Sequence, residues 1–137
     1  MIDLILCVDD DPITLMLCKM VISRSMFAKE IVTAQNGEEA LEYFDEMRLN
    51  NLGNEINNYP KLILLDLNMP VMGGWEFLDL FSKDEYVSVF KNTKVIVLSS
   101  TINPSDIEQS KKYPIVFDFI SKPITKEMLE VLKTKLS

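Results

Sequence analysis

Five short, nearly continuous apolar runs are spread along this chain, and segments with helical periodicity separate them. Uninterrupted apolar runs are typical of parallel strands covered on both faces, because half-exposed strands alternate apolar and polar residues. The alternation of strand and helix predicts a doubly wound α/β fold, with five parallel strands and helices on both faces of the sheet. The predicted strands are Leu4–Val8, Glu30–Ala34, Leu62–Leu65, Lys94–Leu98 and Val116–Ile120.

Most of the predicted helices begin at a recognisable N-terminal signal. Asp11 precedes Pro12 as a helix cap precedes a first-turn proline. Asn36 and Ser105 are each followed three residues later by Glu, as in a capping box, and Thr125 precedes the last helix. The third helix is predicted to begin near Gly74-Trp75. Residues 50–60, rich in Asn and Gly, are predicted to form a solvated loop. In the first helix the apolar residues share one face: Ile13, Met16, Leu17, Met20 and Val21.

Length and composition narrow the class of protein. A chain of 137 residues suits one domain, and we expect neither a second domain nor an output domain within it. No apolar run approaches the roughly 20 residues that span a bilayer, and no secretory signal is present, so we expect a cytoplasmic protein. The net charge is −7 and no dense basic cluster occurs, which argues against nucleic-acid binding. Cys7 and Cys18 lie in apolar contexts and are interpreted as buried, reduced thiols.

The chain contains no histidine. This excludes a Ser-His-Asp triad, a His-ligated zinc site and a histidine kinase that phosphorylates itself on this chain. Any chemistry must therefore use carboxylates, hydroxyls and lysine.

Polar residues follow four of the five predicted strands. The first strand is followed by Asp9-Asp10, the third by Asp66, the fourth by Ser99-Ser100 and the fifth by Lys122-Pro123 after one intervening serine. Because the carboxyl ends of parallel strands lie on one edge of the sheet, where ligands of such folds bind, we expect these side chains to meet there. Asp11 is interpreted as a cap and Trp75 and Met72 as packing residues.

Three carboxylates in one place would repel one another by about 4 kcal/mol per pair at 4 Å and an effective dielectric of 20. The repulsion raises a pKa or requires a cation, and carboxylate oxygens suit Mg²⁺. With Mg²⁺ bound, Asp66 could attack a phosphoryl group and form an acyl phosphate. Lys122 and the Ser99 hydroxyl could then contact the phosphoryl oxygens.

Four segments, in this order, resemble the receiver domain of two-component response regulators. They are Ile5 to Asp11, Leu64 to Gly74 with the pattern D-x-x-M-P-x-M-x-G, Val97 to Ser100, and Phe119 to Pro123. The resemblance covers essentially the whole chain and implies a flavodoxin-like strand order, 2-1-3-4-5. Two departures stand out. Gly73 occupies a position where the family often has Asp, and Tyr113-Pro114-Ile115 stands near the usual Gly-Ala before the fifth strand.

The resemblance implies a role for each matching position. Asp66 would be the phosphoacceptor. Asp10 would ligate Mg²⁺ directly, Asp9 mostly through water, and the Asn68 backbone carbonyl would supply a further ligand. Lys122 would pair with the phosphoryl group, and its bond to Pro123 is expected to be cis.

The resemblance also implies a signalling mechanism in place of a turnover enzyme. Ser99 would be the switch hydroxyl and Phe119 the switch aromatic, and together they would alter a surface built from the fourth helix, fifth strand and fifth helix. The phosphoryl group would come from a phosphohistidine on a sensor kinase or phosphotransfer protein. The downstream protein target is undefined, and a monomer or weak homodimer is expected.

Two other readings remain open from the sequence. Asp9-x-Asp11, Ser99 and Lys122 imitate motifs of haloacid dehalogenase-type phosphatases, although only Glu127 and Glu130 follow the lysine as later acids. Alternatively, the chain could have the receiver fold and act as a scaffold that is never phosphorylated.

Overall fold

The structure, a computed structural model, describes residues 1–136 and contains one five-stranded sheet. The strand order is β2-β1-β3-β4-β5, and every neighbouring pair is parallel. Both the predicted architecture and the implied strand order are confirmed. The strands are β1 (Ile2–Val8), β2 (Ala28–Ala34), β3 (Leu62–Asp66), β4 (Lys94–Ser99) and β5 (Val116–Ser121).

Six helices are present among the described residues, one more than predicted. They are α1 (Pro12–Arg24), α2 (Gly37–Asn50), α3 (Gly74–Phe81), α4 (Asp84–Val87), α5 (Pro104–Ser110) and α6 (Lys126–Leu136). The additional helix is α4, a single turn of four residues, which is too short for apolar periodicity to reveal. The fourth and fifth helices of the sequence prediction are therefore α5 and α6.

The helix caps agree with the prediction except at α5. Asp11 caps α1, Asn36 accepts a hydrogen bond from the Glu39 amide at 2.9 Å, and the Thr125 hydroxyl oxygen accepts one from the Met128 amide. At α5 the predicted cap, Ser105, is wrong. Asn103 is the cap, because its side chain accepts from the Ser105 amide and Pro104 fills the first helical position. At both α1 and α5, therefore, the capping residue accepts a hydrogen bond through its side chain and is followed directly by proline.

Apolar residues pack in two layers, one on each face of the sheet. One layer joins the sheet to α2 and α3 and contains a phenylalanine cluster in which ring centroids lie 4.6–6.1 Å apart: Phe44, Phe77, Phe81 and Phe90. The other layer joins the sheet to α1 and α6. Cys7 and Cys18 are buried in this second layer as free thiols, which confirms the prediction. Burial on both faces explains why the strands read as continuous apolar runs.

The apolar face predicted for α1 does not face the core. The core-facing residues are Cys18 and Ile22, with Leu15 and Val21 half-buried. Four of the five residues of the predicted apolar face are exposed along the outside of the helix: Ile13 (63%), Met16 (58%), Leu17 (37%) and Met20 (37%). The predicted residues do share one face, but α1 is apolar nearly all round, so periodicity cannot tell which side is buried.

The second half of the loop between α2 and β3 is held against the core by side-chain contacts. Tyr59 is buried, and its ring lies edge-on to Phe90, with centroids 5.2 Å apart. The Thr93 hydroxyl donates to the Pro60 carbonyl at 2.7 Å. The predicted loop is therefore confirmed only in part as a solvated insertion, since α2 continues to Asn50 and the end of the loop joins the core. Within residues 1–136, no helix combines the length and apolar character needed to cross a membrane.

Candidate functional site

The carboxyl ends of β1, β3, β4 and β5 meet at one edge of the sheet. Strand register places Val8 beside Leu65, Asp66 beside Leu98, and Ser99 beside Ser121. The residues that follow these positions therefore converge, as the sequence predicted.

Asp9, Asp10 and Asp66 form a carboxylate cluster. One oxygen from each lies within 4.8 Å of the others. Asp9 and Asp66 are buried, whereas Asp10 is exposed. Burial, followed by the charge of Asp9, raises the pKa of Asp66, although Lys122 opposes the increase. An additional cation would relieve this repulsion, and an all-oxygen donor set with one open, solvated side fits Mg²⁺, which retains several of its waters.

Lys122 provides a positive charge beside two of the three carboxylates. Its Nζ lies 2.6 Å from Asp9 Oδ2 and 3.3 Å from Asp66 Oδ1. Burial opposes its charge, but the hydrogen bond to Asp9 and the charge of Asp66 outweigh that effect and raise the pKa of Lys122. Its backbone amide donates to the Ser99 carbonyl at 2.8 Å, and the Lys122-Pro123 bond is cis, as the resemblance implied. Lys122 is therefore charged and fixed in position.

The loop between β1 and α1 orients the acid pair. The Asp9 amide donates to the Ala34 carbonyl at 3.0 Å, which ties the loop to the end of β2. Asp9 Oδ1 accepts from the Asp11 amide at 2.9 Å, which fixes the Asp9 carboxylate. Asp11 itself accepts from the Ile13 amide and the Thr14 hydroxyl, so it is a helix cap, as predicted, and not a member of the cluster.

The two predicted switch residues have different environments. Ser99 is buried, and its hydroxyl donates to the Thr101 carbonyl at 2.6 Å. Phe119 is half-buried on β5 and lines an open groove against Ile107 and Ser110 of α5. Asn68 is exposed two residues beyond Asp66, and the ligand role of its carbonyl stays a prediction.

Comparison with known proteins assigns the family. The sequence profile of the response regulator receiver domain matches residues 5–133. The chain belongs to this family. A two-component response regulator from Cytophaga hutchinsonii shares 30% identity and superposes with a TM-score of 0.85, covering 98% of this chain and 96% of that one. The phosphorylated cyanobacterial phytochrome response regulator RcpA shares 29% identity, with a TM-score of 0.71 and coverage of 98% and 91%.

A longer relative contains a similar segment. The chain is 30% identical over 134 residues to the hybrid signal transduction histidine kinase C of Dictyostelium discoideum. The match covers 96% of this receiver domain but only 10% of that kinase. The similarity thus concerns one part of the larger protein.

Receiver-family membership removes the haloacid dehalogenase reading, and the geometry agrees with this outcome. That reading required a later acid near the metal, but Glu127 and Glu130 both lie on α6. Within residues 1–136, the acid cluster is instead made by Asp9, Asp10 and Asp66.

Gly74 supports this receiver site in a way that the sequence analysis missed. Its amide donates to the Leu67 carbonyl at 2.9 Å, which folds the start of α3 back against the end of β3. A Cβ at Gly74 would lie 2.6 Å from the Asp66 backbone oxygen and 2.9 Å from Leu67 Cα. Nearby, Val71 has a φ of +69°, which is unfavourable for a β-branched residue. The signal in the sequence was the glycine that ends the D-x-x-M-P-x-M-x-G pattern, which falls on position 74.

We expect Gly74→Ala to lower the free energy of unfolding by about 2–3 kcal/mol, because the added methyl would displace backbone next to Asp66. Chemical denaturation would measure the loss. Gly53→Ala is the control, since its Cβ meets nothing within 4 Å and only its φ of +79° is unfavourable. The control should lose about 1 kcal/mol. Equal losses in both variants would contradict the close approach at Gly74.

Proposed function

We propose that Asp66 accepts a phosphoryl group in a magnesium-dependent transfer and that this chain acts as a charge switch, not as an enzyme that turns over a substrate. The observation that carries the proposal is the convergence of Asp66 with Asp9, Asp10 and Lys122 at one edge of the sheet. A carboxylate held between two other carboxylates and one lysine is arranged to bind both a cation and a phosphoryl group.

In the proposed transfer, one Asp66 carboxylate oxygen forms a bond to phosphorus. The bond from phosphorus to the donor nitrogen breaks, and the departing imidazole keeps that electron pair. Asp9, Asp10, Asp66 and the Asn68 carbonyl would hold Mg²⁺, and the bound ion would supply positive charge beside the phosphoryl oxygens. The product is an aspartyl phosphate on Asp66.

Lys122 and Ser99 would stabilise the new charge. Lys122 Nζ already lies 3.3 Å from Asp66 Oδ1, so a small movement away from Asp9 would bring it to a phosphoryl oxygen. The Ser99 hydroxyl would leave the Thr101 carbonyl and donate to another phosphoryl oxygen. Phe119 would then move, and the surface made by α5, β5 and α6 would change.

The phosphoryl donor lies outside these 137 residues if it is a phosphohistidine, because they contain no histidine. We propose that the donor is a phosphohistidine on a sensor kinase or phosphotransfer protein. The exposed apolar stripe of α1 supports a protein donor, since it begins at Ile13, two residues after the acid loop. Such a stripe suits an apolar helical surface that delivers its phosphohistidine to Asp66. A cytoplasmic setting, and a monomer or weak homodimer without nucleic acid, complete the proposal.

The proposal is tested with acetyl phosphate, a small donor that needs no partner protein. Wild-type protein should gain the mass of one phosphoryl group in the presence of Mg²⁺ and should gain none when the metal is chelated. Peptide mapping should place the modification on Asp66. An unmodified wild-type protein would favour the scaffold reading instead.

The proposed docking stripe makes a separate prediction. Met16→Asp should slow phosphoryl transfer from a purified histidine phosphotransfer protein that labels the wild type by about tenfold or more, as loss of one central apolar contact would. Labelling by acetyl phosphate should be unchanged. Leu49→Asp on α2 is a matched control, because Leu49 is 56% exposed and Met16 is 58% exposed. Equal transfer rates in the two variants would place donor docking elsewhere.

A further inference from the structure

Tyr113 joins the α5–β5 turn to α3 through both its ring and its hydroxyl. The ring stacks on Trp75, with centroids 6.0 Å apart and an interplanar angle of 22°. The hydroxyl donates to Asp79 Oδ1 at 2.5 Å. Trp75 and Asp79 both lie on α3, one turn apart. We call Trp75, Asp79 and Tyr113 the α3 clasp.

Few other contacts hold α5. In its seven residues only Ser110 is buried, and the side of α5 that faces β5 borders the open groove lined by Phe119. The Val116 amide donates to the Tyr113 carbonyl at 3.0 Å, so the clasp is continuous with β5. The pairing of β4 with β5 is irregular just there, between Val95 and Ile96. At the start of β5 the Val95 amide donates to the Ile115 carbonyl at 2.8 Å, which holds the strand to β4. The α3 clasp is a second attachment, which ties the turn between α5 and β5 to α3.

We propose that the α3 clasp holds α5 in the resting position and that the clasp opens when Asp66 is phosphorylated. This inference rests on the proposed function, since it concerns how that site controls the surface formed by α5, β5 and α6. The route is short: Phe119 lies three residues beyond Val116 on β5 and lines the same groove as Ile107 and Ser110. Movement of Phe119 would change the surface against which α5 packs, and the resulting shift of α5 would break the contacts of the α3 clasp.

The α3 clasp shifts the equilibrium between the resting and the phosphorylated conformations. A contact made only in the resting state raises the cost of reaching the other state by its own free energy. Burial and the contact with Asp79 raise the pKa of Tyr113 to about 12, so its hydroxyl remains a hydrogen-bond donor at physiological pH. Tyr113→Phe removes the hydrogen bond and keeps a ring that can stack on Trp75.

Beryllium fluoride with Mg²⁺, a mimic of the phosphoryl group, tests the inference. Trp75 is the only tryptophan in the chain, so its fluorescence reports on the clasp directly. We expect the fluorescence of the wild type to change on binding. Tyr113→Phe should bind the mimic about fivefold more tightly, which is the effect of losing one hydrogen bond from the resting state alone. Amide hydrogen exchange in α5 should be faster in the unbound variant than in the wild type.

Tyr43→Phe is the control, because Tyr43 is also half-buried but lies on α2, away from the clasp. It should match the wild type in affinity and in α5 exchange. Wild-type affinity in Tyr113→Phe would overturn the inference even if exchange were faster, since the clasp would then be present in both states. Weaker binding would overturn it as well. Failure of the wild type to bind the mimic at all would contradict the proposed function, and the inference with it.

Discussion

Replacing Asp66 by Asn is expected to abolish phosphorylation by acetyl phosphate in the presence of Mg²⁺, with a rate at least about 10³-fold below that of the wild type. The amide nitrogen and oxygen of Asn occupy nearly the same space as the carboxylate, but they lack the nucleophilic charge. Mass spectrometry of the intact protein measures the result. A mass gain in Asp66→Asn equal to that of the wild type would show that another residue is the acceptor.

We expect Asp66→Asn to remain folded, so its loss of phosphorylation cannot be attributed to unfolding. Burial and the charge of Asp9 raise the pKa of Asp66 in the folded chain, so the folded state holds this proton more tightly than the unfolded state does. Ionisation of Asp66 therefore makes the metal-free protein less stable as the pH rises through that pKa. Asp66→Asn removes this cost, and we expect it to be more stable than the wild type at neutral pH without metal.

The sequence was most informative where several physical requirements coincide. The strands β1, β3 and β4 are buried on both faces, so their apolar runs are continuous. The limits of all five strands were predicted to within two residues. The polar residues after β1, β3, β4 and β5 could then be assigned to one edge of the sheet from topology alone. The structure brings Asp9, Asp10, Asp66 and Lys122 together at that edge.

Other features depend on tertiary contacts that no local pattern encodes. The side of α1 that is buried follows from its docking on β1, and apolar residues on both sides of the helix conceal it. The family pattern contained Gly74, but the reason for that glycine, the path of the backbone at Asp66, appears only in the structure. The contact between Tyr113 and Asp79 joins residues 34 positions apart. Sequence reasoning noted Tyr113 only as a departure from the family pattern.

Mg²⁺ is expected to raise the melting temperature, and Asp10→Ala to abolish the rise. A ligand at 100 times its dissociation constant stabilises a fold by about 2.7 kcal/mol. For a chain of this size that corresponds to a shift on the order of 10 °C. Asp10 is exposed, so its removal costs the fold little and leaves the buried pair, Asp9 and Asp66, in place. Thermal unfolding followed by circular dichroism, with and without Mg²⁺, measures the effect.

Asp11→Ala is the matched control for Asp10→Ala, because the two acids are neighbours and both are exposed. Asp11 caps α1 and lies outside the carboxylate cluster. Its loss should lower the melting temperature with and without metal, by the roughly 1 kcal/mol that a helix cap contributes. The increase caused by Mg²⁺ should remain. An undiminished increase in Asp10→Ala would place the metal elsewhere, and loss of the increase in Asp11→Ala would give the cap a metal-binding role that its hydrogen bonds to α1 do not suggest.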